Sequence, residues 1–487
     1  MPTNPSVVIL GAGMSGICMG ILLKRAGFED FTIVERSTAV GGTWWDNVYP
    51  GVQCDVHSQL YSFSFKPTPD WSRTFATGAE IRAYAERCVD QYDLRRHLRL
   101  GTTLREARYE PARGGWHLTT TDGESLQARV FVCSVGPLNR PRMPPGLAAF
   151  QGEVMHSARW NRDFDFAHKR VALIGSAASA IQIAPELATR AARLSIFQRS
   201  PSWILPRPDR TYGHLARRLL RVWPIGRASR YWQYWLHDVR YAAFRGHGPL
   251  YRVMVGLADR HRVRQVRDPQ LCRSLRPSYP MGCKRVLISS GFYPTLGRPN
   301  VELIQEAAES FEAGRVVGAR GTVREVDAIV CATGFEATTL MPDLRVVGLA
   351  GRELASAASD GADAYRGISV PGFPNLFLLL GPNTGGGHTS ALIPIEAQAA
   401  YIVRCVRRLA RNPGVSLDVK RSAEEAYNRR IQDRLARTVW TSPACTSWYK
   451  TPSGKVVGIY PGPVTRYVLE MRRPDFSAYD SIAMADD

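Results

Sequence analysis

Two stretches of this chain share one local pattern, and together they constrain its fold more than anything else in it. In the first, Val7-Val-Ile-Leu10 reads as a buried strand and Gly11-Ala-Gly13-Met-Ser-Gly16 as a tight turn. An apolar-periodic helix follows to about Ala26, Gly27 ends it, and Phe31 to Val34 reads as a second strand closed by Glu35. In the second, a strand over 170–174 leads into Gly175-Ser176-Ala177-Ala178-Ser179-Ala180, a helix to about Ala188 and a strand over 194–198. Strand, glycine turn, helix and parallel strand is the unit of a doubly wound sheet. The fold class that follows is α/β, with two Rossmann-like dinucleotide-binding domains. A chain of 487 residues has room for both and for further cores.

Each glycine of the first turn has a physical task. Gly11 permits the sharp turn, Gly13 lets backbone approach a pyrophosphate, and Gly16 lets the helix lie close to the strand. The helix N-terminus adds N–H donors and positive potential, and Glu35 can accept hydrogen bonds from both ribose hydroxyls. The second turn keeps only its first glycine. Ala177 adds a Cβ where backbone should meet the pyrophosphate, whereas alanine at position 180 still allows close packing. No carboxylate follows the second strand; Arg199, Ser200 and later Arg207 stand there instead. A carboxylate repels a 2′-phosphate and arginine grips one, so the second site reads as an NADPH site rather than an NADH site.

The loop Gly41-Gly42-Thr43-Trp44-Trp45-Asp46-Asn47-Val48-Tyr49-Pro50-Gly51-Val52-Gln53-Cys54-Asp55 is dense in glycine, proline and aromatic residues. Its Gly41, Gly42, Trp44, Tyr49, Pro50, Gly51 and Asp55 match, position by position, a motif of the flavin-dependent Baeyer–Villiger monooxygenases, which the chain resembles. Phe150, Gly152, His156 and Trp160 fit the F-x-G-x-x-x-H-x-x-x-W string of the type I members, with Asn161 departing from the usual Pro or Asp after it. The resemblance implies that the first site takes FAD, with Gly42, Thr43, Trp44 and Tyr61 beside it. It implies that Asp55 sits near the flavin and a catalytic arginine. It also implies that Phe150 to Trp160 connects the domains, its histidine affecting how NADPH oxidation couples to oxygenation. By itself His156 also reads as a satisfied interdomain histidine without a chemical role.

Between and beyond these motifs the periodicity is informative. Residues 77–98 read largely as helix, and 106–112, 116–120 and 128–135 as strands of a small meander. The Pro-rich run 140–145 reads as a linker. From Pro206 to Arg276 the chain turns basic, aromatic and helical (215–222, 232–244, 251–266). The resemblance implies a helical insertion there that shapes the substrate cavity, and such helices could also lie on a membrane surface. Pro277 to Arg285 resembles the family segment in which Lys284 assists the 2′-phosphate and Arg285 sits over the flavin; an ion pair alone would be a structural reading of the same residues. Thr333 and Gly334 belong to an Ala-Thr-Gly-Phe at a strand end, where such flavoproteins cross back toward FAD. Asn383 lies in a Gly-rich turn, 381–390, that opens a helix over 393–409 and suits the flavin's pyrimidine end. The stretch from Asp475 onward reads as a loose or strapping tail. The domain limits are therefore 1–149 (FAD, first part), 150–205 (NADPH, first part), 206–276 (insertion), 277–335 (NADPH, second part) and 336–487 (FAD, second part, and tail).

Composition removes several alternatives. No apolar run approaches the roughly 18 residues of a membrane span, and nothing after the start reads as a signal peptide. The nine cysteines show no C-x-x-C pair and no metal-ligand spacing. Reduced thiols, a cytoplasmic location, no metal and no disulfide-reductase chemistry are expected. The formal charge of +20 is spread along the chain without a nucleic-acid motif. The expected activity is insertion of one atom of O2 into a ketone through a flavin peroxide, which needs a fixed cation (Arg285) because the peroxide is nucleophilic only as its anion. Two other readings stay open: N- or S-oxygenation by the protonated peroxide, and a non-oxygenating NADPH-binding flavoprotein.

Overall fold

The computed structural model describes residues 5–358, 360–444 and 446–484. Two five-stranded parallel sheets carry the fold. The first runs Leu376–Leu378, Val130–Cys133, Val7–Leu10, Phe31–Val34, Leu98–Arg99. Its middle strands, Val130–Cys133 and Val7–Leu10, are almost wholly buried, which is why they read as unbroken apolar runs and not as alternating ones. Helix Met14–Arg25 is buried nearly all round because it lies between this sheet and helix Leu392–Arg411. The second sheet runs Val301–Ile304, Arg193–Phe197, Arg170–Ile174, Ala328–Cys331, Glu153–His156, again all parallel.

The chain crosses between the lobes twice, over 134–152 and 332–375, and the two crossings touch. Arg142 N–H donates to the Gly334 carbonyl at 2.9 Å, and Pro141 bridges Phe335. The expected helix over 77–98 is Gly78–Gln91, started by a capping box in which Thr77 and Glu80 satisfy each other's backbone N–H groups.

The structure departs from the sequence reading in several places. The expected strand over 128–135 is split: Ser125–Ala128 closes a mixed sheet, antiparallel to Gly115–Thr120, which pairs antiparallel with Leu104–Glu110, with Arg345–Val347 parallel at the far edge, while Val130–Cys133 belongs to the first parallel sheet. The break falls at Arg129, where the N–H groups of Arg129 and Val130 both donate to the Ser6 carbonyl. In the insertion, the helix expected from Trp232 starts nine residues earlier, as Trp223–Val239; Pro224 is tolerated because it stands in the first turn. Of the two readings of the stretch from Asp475, loose or strapping, its described residues bear out the strap. Tyr479–Ala483 pairs antiparallel with Val415–Val419, and the buried Tyr479 hydroxyl bonds Ser369 and Tyr401. Seven cysteines are free thiols, but Cys283 is disulfide-bonded, so the expectation of uniformly reduced thiols fails there. Among the described residues no helix is long and apolar enough to cross a membrane.

Candidate active site

Both glycine turns sit at the C-terminal ends of central strands, where doubly wound sheets take their ligands. Gly11 and Gly175 hold φ of 102° and 111°, which only glycine adopts without strain. A Cβ on Gly16 would lie 1.9 Å from the Gly11 carbonyl oxygen. A Cβ on Gly42 would lie 3.0 Å from the Gly13 Cα, so two bare backbones face each other at the mouth of the first turn. Such a cradle fits a pyrophosphate. Glu35 is buried; its two oxygens accept from the N–H groups of Ala12 and Ser37, both at 2.8 Å, and each keeps a lone pair for a ribose hydroxyl. Thr43 is exposed at the start of the short helix Thr43–Asp46, and Trp44 donates its indole N–H to the Tyr61 hydroxyl at 3.1 Å.

The 41–55 loop ties the two nucleotide turns together. Tyr49 donates to the Gln182 side-chain oxygen at 3.0 Å, and the Gln182 amide donates to the Gln53 carbonyl at 3.0 Å. Burial, opposed by a Ser179 bond and aided by the Asp55 charge, pushes the Tyr49 phenol up to about 12. Gln182 stands one turn into helix Ala180–Leu187; nothing in its spacing announces it.

At the end of this loop lies the central ion pair. Arg285 donates from Nε and Nη2 to the two oxygens of Asp55 at 2.6 and 2.7 Å, a bidentate fork. Both side chains are about a third exposed, at 33% and 28%, so the pair borders the cleft without being sealed from it. Burial pushes the Asp55 carboxyl up, but the Arg285 charge and hydrogen bonds outweigh it and hold the group below its usual range. Asp55 in turn raises Arg285 against the effect of burial. The buried Tyr449 hydroxyl stands beside Arg285 without a hydrogen bond of ordinary geometry, and burial, opposed by the Arg285 charge, raises its pKa to about 12, so it stays a phenol. Tyr449 was not expected at the site. It lies 164 positions along the chain from Arg285, in Thr446-Ser-Trp-Tyr-Lys450, which resembles a C-terminal segment of one branch of the family.

Arg199, Ser200 and Lys284 converge at the second turn. Lys284 donates to the Ser200 hydroxyl at 2.9 Å and stands over the Tyr279 ring. Burial, and then the nearby Arg199, hold its pKa below the ordinary lysine value. Two neighbouring cations are what a 2′-phosphate requires. Ser176 is buried and donates to the Ser200 carbonyl at 3.4 Å, while Ala177 is exposed at the turn's rim. Arg207 does not join them. Strand Ile204–Leu205 pairs with Leu287–Ile288 and carries the chain away, so the Arg207 guanidinium donates to the Cys54 carbonyl at 3.3 Å and lies over Phe75.

The remaining expected residues make structural contacts. His156 Nδ1 accepts from the Ala158 N–H at 3.1 Å, so its Nε2 donates to the Gly334 carbonyl at 3.1 Å. Phe150 is buried, Gly152 lies against its ring and the Asp327 carbonyl, and Trp160 stacks on Phe166 within 6.5 Å of Tyr49. Asn161 donates to Glu153 and accepts from the Asp163 N–H, a turn role that Asp could fill only in part. Thr333 donates to the Arg142 carbonyl, so Thr333 and Gly334 fasten the two crossings. The Asn383 amide donates to the carbonyls of Val456 and Ile459, which holds the C-terminal segment on the Gly-rich turn. The Oδ1 of Asn383 and the Oγ1 of Thr389 are buried there without partners, a polar lining that fits the polar edge of a flavin ring.

His156 has a measurable consequence. Burial, opposed by the Gly334 bond, holds it down at about 4; burial and then Arg240 hold His57 and His237 at about 4 too. Each group binds its proton more weakly folded than unfolded, where the pKa is about 6.5. The stability they contribute is complete above that value and is lost as pH falls toward 4. The melting temperature should therefore drop through this window, each histidine adding a slope of up to about 1.4 kcal/mol per pH unit. His156→Gln should make the drop shallower by one histidine's share; an unchanged profile would show that His156 is not held neutral.

Two dinucleotide folds, locked together by one loop that delivers a carboxylate-held guanidinium to the cleft, define a two-nucleotide flavoprotein oxidoreductase. Residues 4–216 match the flavin-binding monooxygenase-like family. A Baeyer–Villiger monooxygenase of Streptomyces coelicolor is 41% identical over 98% of this chain and 93% of its own length, and one of Pseudomonas aeruginosa is 41% identical over 97% and 90%. Among solved structures, an oxidised steroid monooxygenase bound to NADP superposes with a TM-score of 0.86 at 26% identity, covering 99% of this chain and 100% of that one. A closed cyclohexanone monooxygenase superposes at 0.85 and 26%, covering 98% and 99%. The chain belongs to the Baeyer–Villiger monooxygenases.

Proposed function

We propose that the chain uses FAD and NADPH to insert one atom of O2 into a ketone, giving an ester or lactone, while NADPH and a proton carry the other atom away as water. The observation that carries this reading is the bidentate Asp55–Arg285 pair, with the Tyr449 phenol beside it, at the junction of the two nucleotide turns. When bound, the reduced flavin supplies the electrons that activate O2. The chain's own residues set the conditions. Arg285 is a permanent cation where negative charge develops on oxygen, and a preorganised charge stabilises such a state strongly. Asp55 fixes the guanidinium plane through two donors and leaves the others for oxygen acceptors.

In this reading Gly11, Gly13, Gly16 and Gly42 line the FAD pyrophosphate and Glu35 its ribose; Thr43, Trp44, Tyr61 and Asn383 border the flavin. Gly175, Ser176, Ala177 and Ser179 take the NADPH pyrophosphate, and Arg199, Ser200 and Lys284 its 2′-phosphate. The domain limits 149/150, 205/206, 276/277 and 335/336 are part of the proposal, supported by which strands enter which sheet. The seven free thiols favour a cytoplasmic setting, and the Cys283 disulfide stands against it.

The test is product mass analysis of the FAD-loaded enzyme with NADPH, O2 and a paired panel of ketones and sulfides. Esters or lactones are expected; sulfoxides with no ester from any ketone would replace this reading with heteroatom oxygenation. For the second cofactor, Lys284→Ala is expected to raise KM for NADPH about 10- to 100-fold, the worth of one charged hydrogen bond, and to leave KM for NADH unchanged. An equal rise for both coenzymes would remove Lys284 from the 2′-phosphate.

A further inference from the structure

Between residues 211 and 258 the chain has eight arginines, no lysine and a single acidic residue, Asp238. Asp238 is buried, so the stretch itself displays cations and no carboxylate; the one carboxylate paired with its exposed arginines among the described residues is Asp70, on Arg221. The same stretch exposes large apolar side chains at a density found nowhere else among the described residues: Leu215 is 71% exposed, Trp223 and Trp232 69%, Val239 63% and Trp235 53%.

Helix Trp223–Val239 has its polarity reversed. Its inner face is polar and firmly held. Arg230 donates to the carbonyls of Gln59 and Ser62 at 2.9 and 2.8 Å and faces Glu396, while Tyr234 bonds the Thr465 hydroxyl. Asp238 accepts from the Val464 N–H and the Thr465 hydroxyl. The outer face carries Ile225, Trp232, Trp235, Leu236 and Val239, spaced by three, four and seven residues along one stripe. A surface helix ordinarily turns such a stripe inward. Here the inner face is already bonded, so the stripe cannot rotate away from solvent. Helix His214–Arg221 lies against it and adds exposed Leu215 and Leu219. Exposed Arg218 and Arg221 stand on the adjoining helix, Arg221 paired with the exposed Asp70 at 3.3 Å, exposed Arg227 stacks over Trp223 and Tyr231, and exposed Arg245 follows the helix.

Tryptophans and tyrosine beside aliphatic side chains, ringed by arginines, match the headgroup layer of an anionic bilayer. The rings settle at the interface, the aliphatic groups reach the acyl boundary, and guanidinium groups meet phosphates. A second copy of this chain would bring the same cations face to face. Nucleic acid would leave Leu215, Leu236 and Val239 without an apolar partner. We infer that helices His214–Arg221 and Trp223–Val239 lay their outer face on an anionic phospholipid surface and hold the enzyme there peripherally. The inference is independent of the oxygenation reading, since it uses no residue of the nucleotide turns or of the Asp55–Arg285 pair.

The test is co-sedimentation of the FAD-loaded protein with vesicles of phosphatidylcholine alone and of phosphatidylcholine mixed with phosphatidylglycerol, with tryptophan emission read in parallel. Binding to the mixed vesicles with a blue shift, weaker in high salt, is expected. Arg218→Gln/Arg227→Gln/Arg245→Gln should weaken it on the order of a hundredfold, and Trp232→Ser/Trp235→Ser should remove the blue shift. These side chains are exposed, so both variants should keep the flavin absorbance and melting temperature, which are checked alongside. Absence of binding to the mixed vesicles, equal binding by the variants, or a concentration-dependent dimer that the tryptophan variant abolishes without vesicle binding would each overturn the inference.

Discussion

Arg285→Ala is expected to take hydride from NADPH and consume it, and to form no detectable ester. The guanidinium stands at the cleft, fixed by two short hydrogen bonds to Asp55. Its charge matters at the oxygenation step, where negative charge must sit on oxygen in a site poor in water. Removing one preorganised donor of this kind typically costs about 10²–10³ in rate, and here the full charge goes with it. Flavin reduction uses the other turn, with Arg199 and Lys284, and should persist. Anaerobic bleaching of the flavin by NADPH and mass analysis of the aerobic products separate the two steps. Arg285→Lys keeps the charge and loses the fork, so it should recover a fraction of the ester. The Ala variant has a second effect: Asp55 loses the partner that outweighs the effect of burial, so its carboxyl pKa rises and the 41–55 loop loosens. Asp55→Asn distinguishes this, because it leaves the cation in place but unheld. Full ester yield from Arg285→Ala would remove the residue from the chemistry. Failure to bleach would place it in NADPH handling instead.

Much of this arrangement was legible because it rests on local rules. Buried parallel strands, glycine turns and the residue after the second strand are read within about 30 residues, and the two sheets form around the strands so identified. Asp55 and Arg285 were legible only through the family motifs, since 230 positions separate them. What was missed depends on distant packing. Arg207 looks like a phosphate ligand from its place after Arg199, but pairing of Ile204–Leu205 with Leu287–Ile288 turns it toward Cys54. Gln182 and Tyr449 reach the site through a loop fold that no periodicity encodes. The split at Arg129 and the strand Tyr479–Ala483 follow from partners at Ser6 and Val415–Val419, far off in sequence. The stripe on helix Trp223–Val239 stands in a basic, aromatic stretch that the sequence leaves between a cavity-shaping insertion and a surface helix; only the bonded inner face reveals that it looks outward.

Gly16→Ala is expected to yield protein that retains no FAD, from the smallest side chain that can be added. The new methyl carbon would lie 1.9 Å from the Gly11 carbonyl oxygen and 2.9 Å from the Ser134 hydroxyl oxygen. The first contact is with backbone, so no rotamer change relieves it, and helix Met14–Arg25 must move away from strand Val7–Leu10. That helix is wedged between the first sheet and helix Leu392–Arg411, and most of its side chains are buried. The shift therefore opens the core as well as the turn, an overpacking cost of about 1–3 kcal/mol or more. It also displaces Gly13 from Gly42, the two backbones that face each other across the cradle. Loss of the nucleotide removes its own contribution to stability, which grows as the logarithm of cofactor concentration over its dissociation constant. The readouts are the ratio of flavin to protein absorbance after purification and the melting temperature with and without added FAD. The unaltered chain should melt higher when FAD is added after stripping, and Gly16→Ala should not respond. Gly256→Ala is the control: its Cβ meets nothing within 4 Å, it lies inside helix Pro249–Gln265, and it should keep full flavin and melt slightly higher. Full flavin content in Gly16→Ala would mean that FAD does not depend on this turn, and the nucleotide would have to be placed elsewhere on the first sheet.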